Sequence, residues 1–124
     1  MTKTLVLIVE DDENILELYA SAFMAAGIKV IKAKNGLEGV EKALKCHPDA
    51  ILIDIRMPVM HGHKAVEKIR LDPWGKDAKI VFLTNMSDAE NVFLAVEQGS
   101  EEYIIKANTP VKEVVNQVRM AMRA

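Results

Sequence analysis

Apolar positions along the chain fall into two alternating patterns. Thr4 to Val9 is a continuous apolar run rich in β-branched residues, as expected of a strand covered on both faces of a parallel sheet. Ala50 to Ile53 and Lys79 to Leu83 have the same character. Ile28 to Ala33 is interrupted by Lys29 and Lys32 and followed by Lys34, the pattern of a strand nearer an edge, and Tyr103 to Ile105 makes a fifth, short strand.

The intervening segments have helical period. Ile15, Leu18, Tyr19, Ala22 and Phe23 are spaced to line one face of a first helix, with Gly27 as its stop. Asn35 and Glu38 form a capping box ahead of Leu37, Val40 and Leu44, and Pro48 ends that second helix. Val66 and Ile69 belong to a third helix closed by Asp72 and Pro73, and Ser87 with Glu90 reads as the capping box of a fourth that stops near Gly99. Thr109–Pro110 starts a last helix whose buried stripe is Val111, Val114, Val115, Val118 and Met122. Strand and helix thus alternate five times without repeat or linker. This predicts one domain over residues 1–124, an α/β doubly wound five-stranded parallel sheet with right-handed crossovers and helices on both faces.

Composition narrows the class. Among 124 residues, 50% hydrophobic and 27% charged is the balance of an ordinary globular domain, not of a disordered or fibrous chain. Sixteen basic against eighteen acidic side chains give a net charge of −2, so no positive field draws in nucleic acid or anionic lipid, and direct nucleic acid binding is disfavoured. The single cysteine, Cys46, suits a reducing compartment, and no apolar run approaches the length of a membrane span, which together point to a cytoplasmic protein. The seven methionines, Met24, Met120 and Met122 among them, read as core filler, and Trp74 as the anchor of a turn.

Ligands of doubly wound sheets bind beyond the carboxyl ends of the strands, so the residues there carry the chemistry. The first strand runs into Glu10, Asp11 and Asp12, and the third into Asp54. Asp12 is placed to cap the next helix, but Asp54 is too far from its helix to do so. Like charges crowded on one rim repel unless a cation sits among them, and oxygen ligands select a hard one such as Mg²⁺. The fourth strand ends at Thr84 and the fifth at Lys106, a hydroxyl and a cation aimed at the same rim. Carboxylate, hard metal, hydroxyl and ammonium together form a kit for phosphoryl transfer.

These pieces, "LIVEDDENI", "ILIDIRMPVMHG", "VFLT" and "YIIK" in register over nearly the whole chain, resemble the receiver domains of two-component response regulators, of which the chemotaxis-type single-domain regulators are the smallest. The resemblance implies a flavodoxin-like (βα)5 fold with strand order 2-1-3-4-5. It implies that Asp54 accepts a phosphoryl group from a sensor histidine kinase or phosphotransfer protein, and that Mg²⁺ is held by Glu10, Asp11, Asp54 and the backbone carbonyl of Arg56. Thr84 and Lys106 would hold the phosphoryl group, and Tyr103 occupies the aromatic switch position that follows Thr84. Arg56 and Met86 border the path of the attacking water. The surface of the fourth helix, fifth strand and fifth helix would then signal to a protein target or an appended output domain. Apart from its own aspartyl phosphorylation and dephosphorylation, such a domain is not an enzyme.

The charges fit this reading, since three carboxylates are balanced by Mg²⁺ and Lys106, a balance that an acyl phosphate upsets. Two positions depart from the family pattern. Ala107 stands where a cis proline is usual and is expected to follow a trans bond. Asn85 stands where a small residue is usual, and its amide would narrow the approach of a phosphodonor or hydrogen-bond the phosphoryl group. His61, His63, Cys46 and His47 have no zinc-ligand spacing. A flavin carrier would need a glycine- and hydroxyl-rich loop where "EDDENI" stands. A haloacid-dehalogenase-type phosphatase would need an aspartate at Arg56. The remaining alternative is a receiver-shaped interaction module that acts without phosphorylation.

Overall fold

The computed structural model describes residues 4–123. Five strands, β1 (Leu5–Val9), β2 (Lys29–Ala33), β3 (Ala50–Ile53), β4 (Ile80–Thr84) and β5 (Glu102–Ile105), alternate with five helices. The helices are α1 (Glu13–Ala25), α2 (Gly36–Cys46), α3 (Gly62–Leu71), α4 (Ala89–Glu97) and α5 (Val111–Arg123). Single 3₁₀ turns at Trp74–Asp77 and Lys106–Asn108 complete the order. The strands form one parallel sheet in the order β2-β1-β3-β4-β5, the flavodoxin-like arrangement, with β2 and β5 at its edges.

Alternation along the strands divides the core in two. Val6, Ile8, Leu52, Val81 and Leu83 face α1 and α5, where they meet Leu16, Phe23, Val114 and Val118. Leu7, Val9, Ile51, Ile53, Ile80 and Phe82 face the other helices, meeting Val40, Val66, Ile69 and Ala95. The central strands are therefore buried on both faces, each large side chain contributing about 1.5–3 kcal/mol by leaving water. That is why their sequences are unbroken apolar runs.

Several expectations shift in detail. Leu18 and Leu37 point to solvent, and the α1 stripe instead uses Leu16 and Ala20 beside Tyr19 and Phe23. Met24 and Met120 are surface residues rather than core filler. The cap of α4 is Asp88, whose carboxylate accepts the Asn91 N–H, so Ser87 and Glu90 form no capping box. The other caps stand: Asn35 accepts from Glu38 N–H, and Gly27 closes α1 with φ +82°. Trp74 does anchor a turn, its ring stacked 4.5 Å from that of His47, which takes a left-handed conformation at the end of α2. No helix among the described residues is long and apolar enough to cross a membrane.

Candidate functional site

Parallel pairing brings the carboxyl ends of β1, β3, β4 and β5 to one rim. Val9 pairs with Ile53, Ile53 with Phe82, and Thr84 with Ile105, so Glu10, Asp54, Thr84 and Lys106 follow as close neighbours. The rim is fixed beyond the strands by backbone bonds from Glu10 N–H to the Ala33 carbonyl and from Asp54 N–H to that of Val9.

Asp12 turns away from this cluster to cap α1, its Oδ1 accepting the N–H groups of Asn14 and Ile15 at 2.9 and 3.1 Å. Three acids remain. Carboxylate oxygens of buried Glu10, exposed Asp11 and buried Asp54 all lie within 4.8 Å of one another, the one such metal-sized group among the described residues. An acceptor-only oxygen set of this size and charge fits a hard divalent cation.

Lys106 holds the buried pair together. Its Nζ donates to Glu10 Oε1 and, at 3.0 Å, to Asp54 Oδ2. The lysine side chain is 12% exposed, so the three charges are largely shielded from water. Burial pushes the Glu10 carboxyl above its ordinary value of 4.5, against the hydrogen bond and charge of Lys106. For Lys106, burial disfavours the ammonium, but the bonds and charges of Glu10 and Asp54 prevail and raise it above 10.5. Asp54 Oδ1 accepts the Ile55 N–H at 2.7 Å, and Glu10 Oε2 the Asp12 N–H at 3.2 Å, so every carboxylate oxygen of the buried pair is anchored.

A pocket of about 380 Å³ opens over Asp54, lined also by Arg56, Thr84, Asn85, Met86 and Lys106. Thr84 is buried, and its Oγ1 accepts the Met86 N–H at 3.3 Å. Tyr103 lies outside this pocket but is joined to it, since its hydroxyl donates to the Met86 carbonyl and its ring lies 6.0 Å from that of Phe82. Below the rim the chain passes so close that a Cβ on Gly62 would lie 2.1 Å from the Asp54 carbonyl oxygen. Exposed Val59, in the same connection, takes φ +69° as Met60 N–H bonds back to the Pro58 carbonyl.

The structure also shows links that the sequence did not announce. The His63 ring packs against Phe82 and meets Gln98 Oε1 and Asn91 Oδ1, while Gln98 Nε2 donates to the His63 carbonyl, tying α3 to α4. Arg70 donates to the carbonyls of Gln98, Gly99, Gly75, Lys76 and Ala78, fixing the far end of α4. Asn85 accepts the backbone N–H of Ala107 at 2.9 Å. No peptide bond among the described residues is cis, and Lys106 reaches both carboxylates across the trans bond to Ala107. His61 and Cys46 are exposed and join no metal-sized cluster among the described residues.

Known proteins share this fold. The structure is similar to that of the chemotaxis protein CheY4 of Vibrio cholerae, with a TM-score of 0.90 and 26% identity over 97% of this chain and 99% of that one. The receiver domain of the sensor histidine kinase PA1611 of Pseudomonas aeruginosa shares the fold, with a TM-score of 0.89, 24% identity and coverage of 99% and 100%; that domain holds a magnesium ion in its active-site cleft. The DNA-binding response regulator MtrA of Mycobacterium leprae is 30% identical over 118 residues, 95% of this chain and 51% of MtrA. The chain spans about half the length of most of the curated relatives it matches. The response regulator receiver domain family matches residues 6–119, and the chain belongs to that family, the receiver domains of two-component signalling.

Proposed function

We propose that residues 1–124 act as one phosphorylation-dependent receiver domain in the cytoplasm, with Asp54 as the phosphoacceptor. The observation that carries this reading is the Asp54 carboxylate itself, buried, anchored through both oxygens, paired with Lys106 and facing a pocket shared with Thr84. A carboxylate held at one orientation needs little reorganisation to meet an incoming phosphorus atom.

In the transfer, an Asp54 oxygen forms a bond to phosphorus as the phosphorus–nitrogen bond of a donor phosphohistidine breaks, the electron pair returning to the imidazole. The product is an acyl phosphate. Lys106 pairs with one of its oxygens, and the Thr84 hydroxyl donates to another, a contact that competes with the present loop geometry around Met86. Glu10, Asp11, Asp54 and the Arg56 carbonyl would hold Mg²⁺, whose two charges offset those of the transferred group when bound. The donor would be a sensor histidine kinase or a phosphotransfer protein. The recipient of the signal would be a protein target or an output domain reached through the face of α4, β5 and α5.

Intact-mass spectrometry after incubation with acetyl phosphate and Mg²⁺ tests this. One added phosphoryl is expected on the wild-type chain and none on Asp54→Ala or without Mg²⁺. An adduct that persists in Asp54→Ala overturns the assignment, and none on the wild type favours an interaction module that works unphosphorylated.

A further inference from the structure

The two departures from the family pattern meet in space. Because residue 107 is alanine and not proline, it keeps a backbone N–H. That N–H donates to Oδ1 of Asn85 at 2.9 Å, across 22 residues of chain, joining the loop after β4 to the turn that begins at Lys106. A side-chain amide has an acceptor end and a donor end. Here the acceptor is committed to Ala107, and the Nδ2 group is left without a hydrogen-bond partner among the described residues. Asn85 lines the same pocket as Asp54, Thr84 and Lys106.

We propose that Asn85 is an anion-binding residue of this pocket, its Nδ2 donating to an oxygen of the group carried by Asp54, and that the Ala107 N–H turns the amide the right way round to do so. The inference rests on the phosphoacceptor reading and adds a ligand to it. An unconstrained asparagine would present its oxygen as readily as its nitrogen, and an oxygen would repel a phosphoryl group. The Ala107 N–H removes that ambiguity. A proline at 107 would be incompatible with this use of Asn85, so the two unusual residues make sense as a pair.

The test is NMR titration of the folded chain with Mg²⁺ alone and then with beryllofluoride, whose fluorides accept hydrogen bonds as phosphoryl oxygens do. Asn85→Ala should bind beryllofluoride about three- to tenfold more weakly, the effect of one neutral hydrogen bond, with Mg²⁺ affinity unchanged. Asn85→Asp keeps an oxygen for Ala107 but offers a second oxygen where the NH₂ stood. It should lose more beryllofluoride affinity than Asn85→Ala while binding Mg²⁺ as tightly or more tightly. Ala107→Pro should weaken beryllofluoride severalfold, and should cost nothing further when Asn85 is already alanine.

Wild-type affinity for beryllofluoride in Asn85→Ala, or parallel losses of both ligands in every variant, overturns the proposal. If the wild-type chain itself takes no beryllofluoride, the phosphoacceptor reading falls and this inference with it. Wild-type binding with unaffected variants removes only the role of Asn85.

Discussion

Lys106 Nζ sits 3.0 Å from Asp54 Oδ2 and also bonds Glu10, so one ammonium bridges two buried carboxylates that would otherwise face each other. Removing it leaves uncompensated buried charge, whereas removing Asp54 relieves repulsion and leaves the Lys106–Glu10 pair intact. Breaking a buried pair in this way costs about 3–5 kcal/mol. Lys106→Met should therefore lower stability towards the smaller end of that range, Asp54→Asn should hold or raise it, and millimolar Mg²⁺ should restore more to Lys106→Met than to the wild type. Urea unfolding with and without Mg²⁺ measures all three, and a destabilised Asp54→Asn contradicts the account.

Alkaline pH should act on the tyrosines. Burial, and then the negative charges of Asp88 and Asp54, raise the Tyr103 phenol above 10.0, and burial raises Tyr19 as well. A group whose folded value is raised holds its proton more tightly in the fold than in the unfolded chain. Its contribution is therefore complete below the ordinary value and is lost as pH climbs through the folded one. Lys106 acts in the same direction above 10.5. The urea midpoint should fall as pH rises past about 10, and Tyr103→Phe should remove part of that slope. Phenols titrating at their ordinary value in ultraviolet absorbance would refute this.

Gly62 separates close packing from backbone freedom. A Cβ there would strike the Asp54 carbonyl oxygen, while one on Gly27 meets nothing within 4 Å and faces only the strain of φ +82°. Gly62→Ala is expected to cost about 1–3 kcal/mol or more and to weaken Mg²⁺ binding, because the backbone that carries Asp54 must shift. Gly27→Ala should cost about 1 kcal/mol and leave Mg²⁺ affinity alone. Equal Mg²⁺ affinities in the two variants would show that the Asp54 backbone does not yield.

The sheet was legible because central parallel strands need apolar residues on both faces, and Leu5–Val9 and Ala50–Ile53 have little else. The rim was legible for a related reason: strand ends are few, and acids there stand out against apolar runs. Helix faces were harder to read. Leu18 sits at a spacing that suits the buried stripe of α1 yet points to solvent, since periodicity leaves the phase uncertain by one position and Leu16 fits the same face. Ser87 and Asp88 are both good caps, and only the path of the chain chooses between them. The bonds of Arg70 to the Gln98 and Gly99 carbonyls and of His63 to Gln98 had no local signal, because their partners are brought near by the fold.

Phosphoryl lifetime should depend on Arg56 and Met86, which both line the pocket. Exposed Arg56 can swing over an acyl phosphate and pair with it, and the Met86 thioether offers almost nothing to orient an attacking water. The phosphorylated chain is expected to decay slowly, and Met86→Asn and Arg56→Ala should each speed the loss by roughly threefold or more. Following the phosphorylated mass over time gives the rates, and unchanged decay in both variants removes these residues from the path of water.

The response of α4 should be uneven along its length. Its carboxyl end is held by Arg70, through the Gln98 and Gly99 carbonyls, and by the Gln98–His63 bonds. Its amino end rests on the Asp88 cap, on the single contact of Asn91 Oδ1 with the His63 ring, and on a loop whose Met86 carbonyl accepts the Tyr103 hydroxyl and whose Met86 N–H bonds Thr84. If Thr84 is drawn to a phosphoryl group, the Met86 N–H loses its partner and the strain falls on residues 85–91, while the far end stays pinned. That motion would change how Phe93, Leu94 and Val96, exposed on α4, present themselves to a partner. Adding Mg²⁺ and beryllofluoride should therefore shift amide signals at Thr84, Met86, Asn91 and Tyr103 while those of Gln98 and Gly99 stay nearly still. Arg70→Ala should let the shifts spread to the end of the helix. Shifts confined to the neighbours of Asp54 would mean that the pocket fills without passing its state to this face.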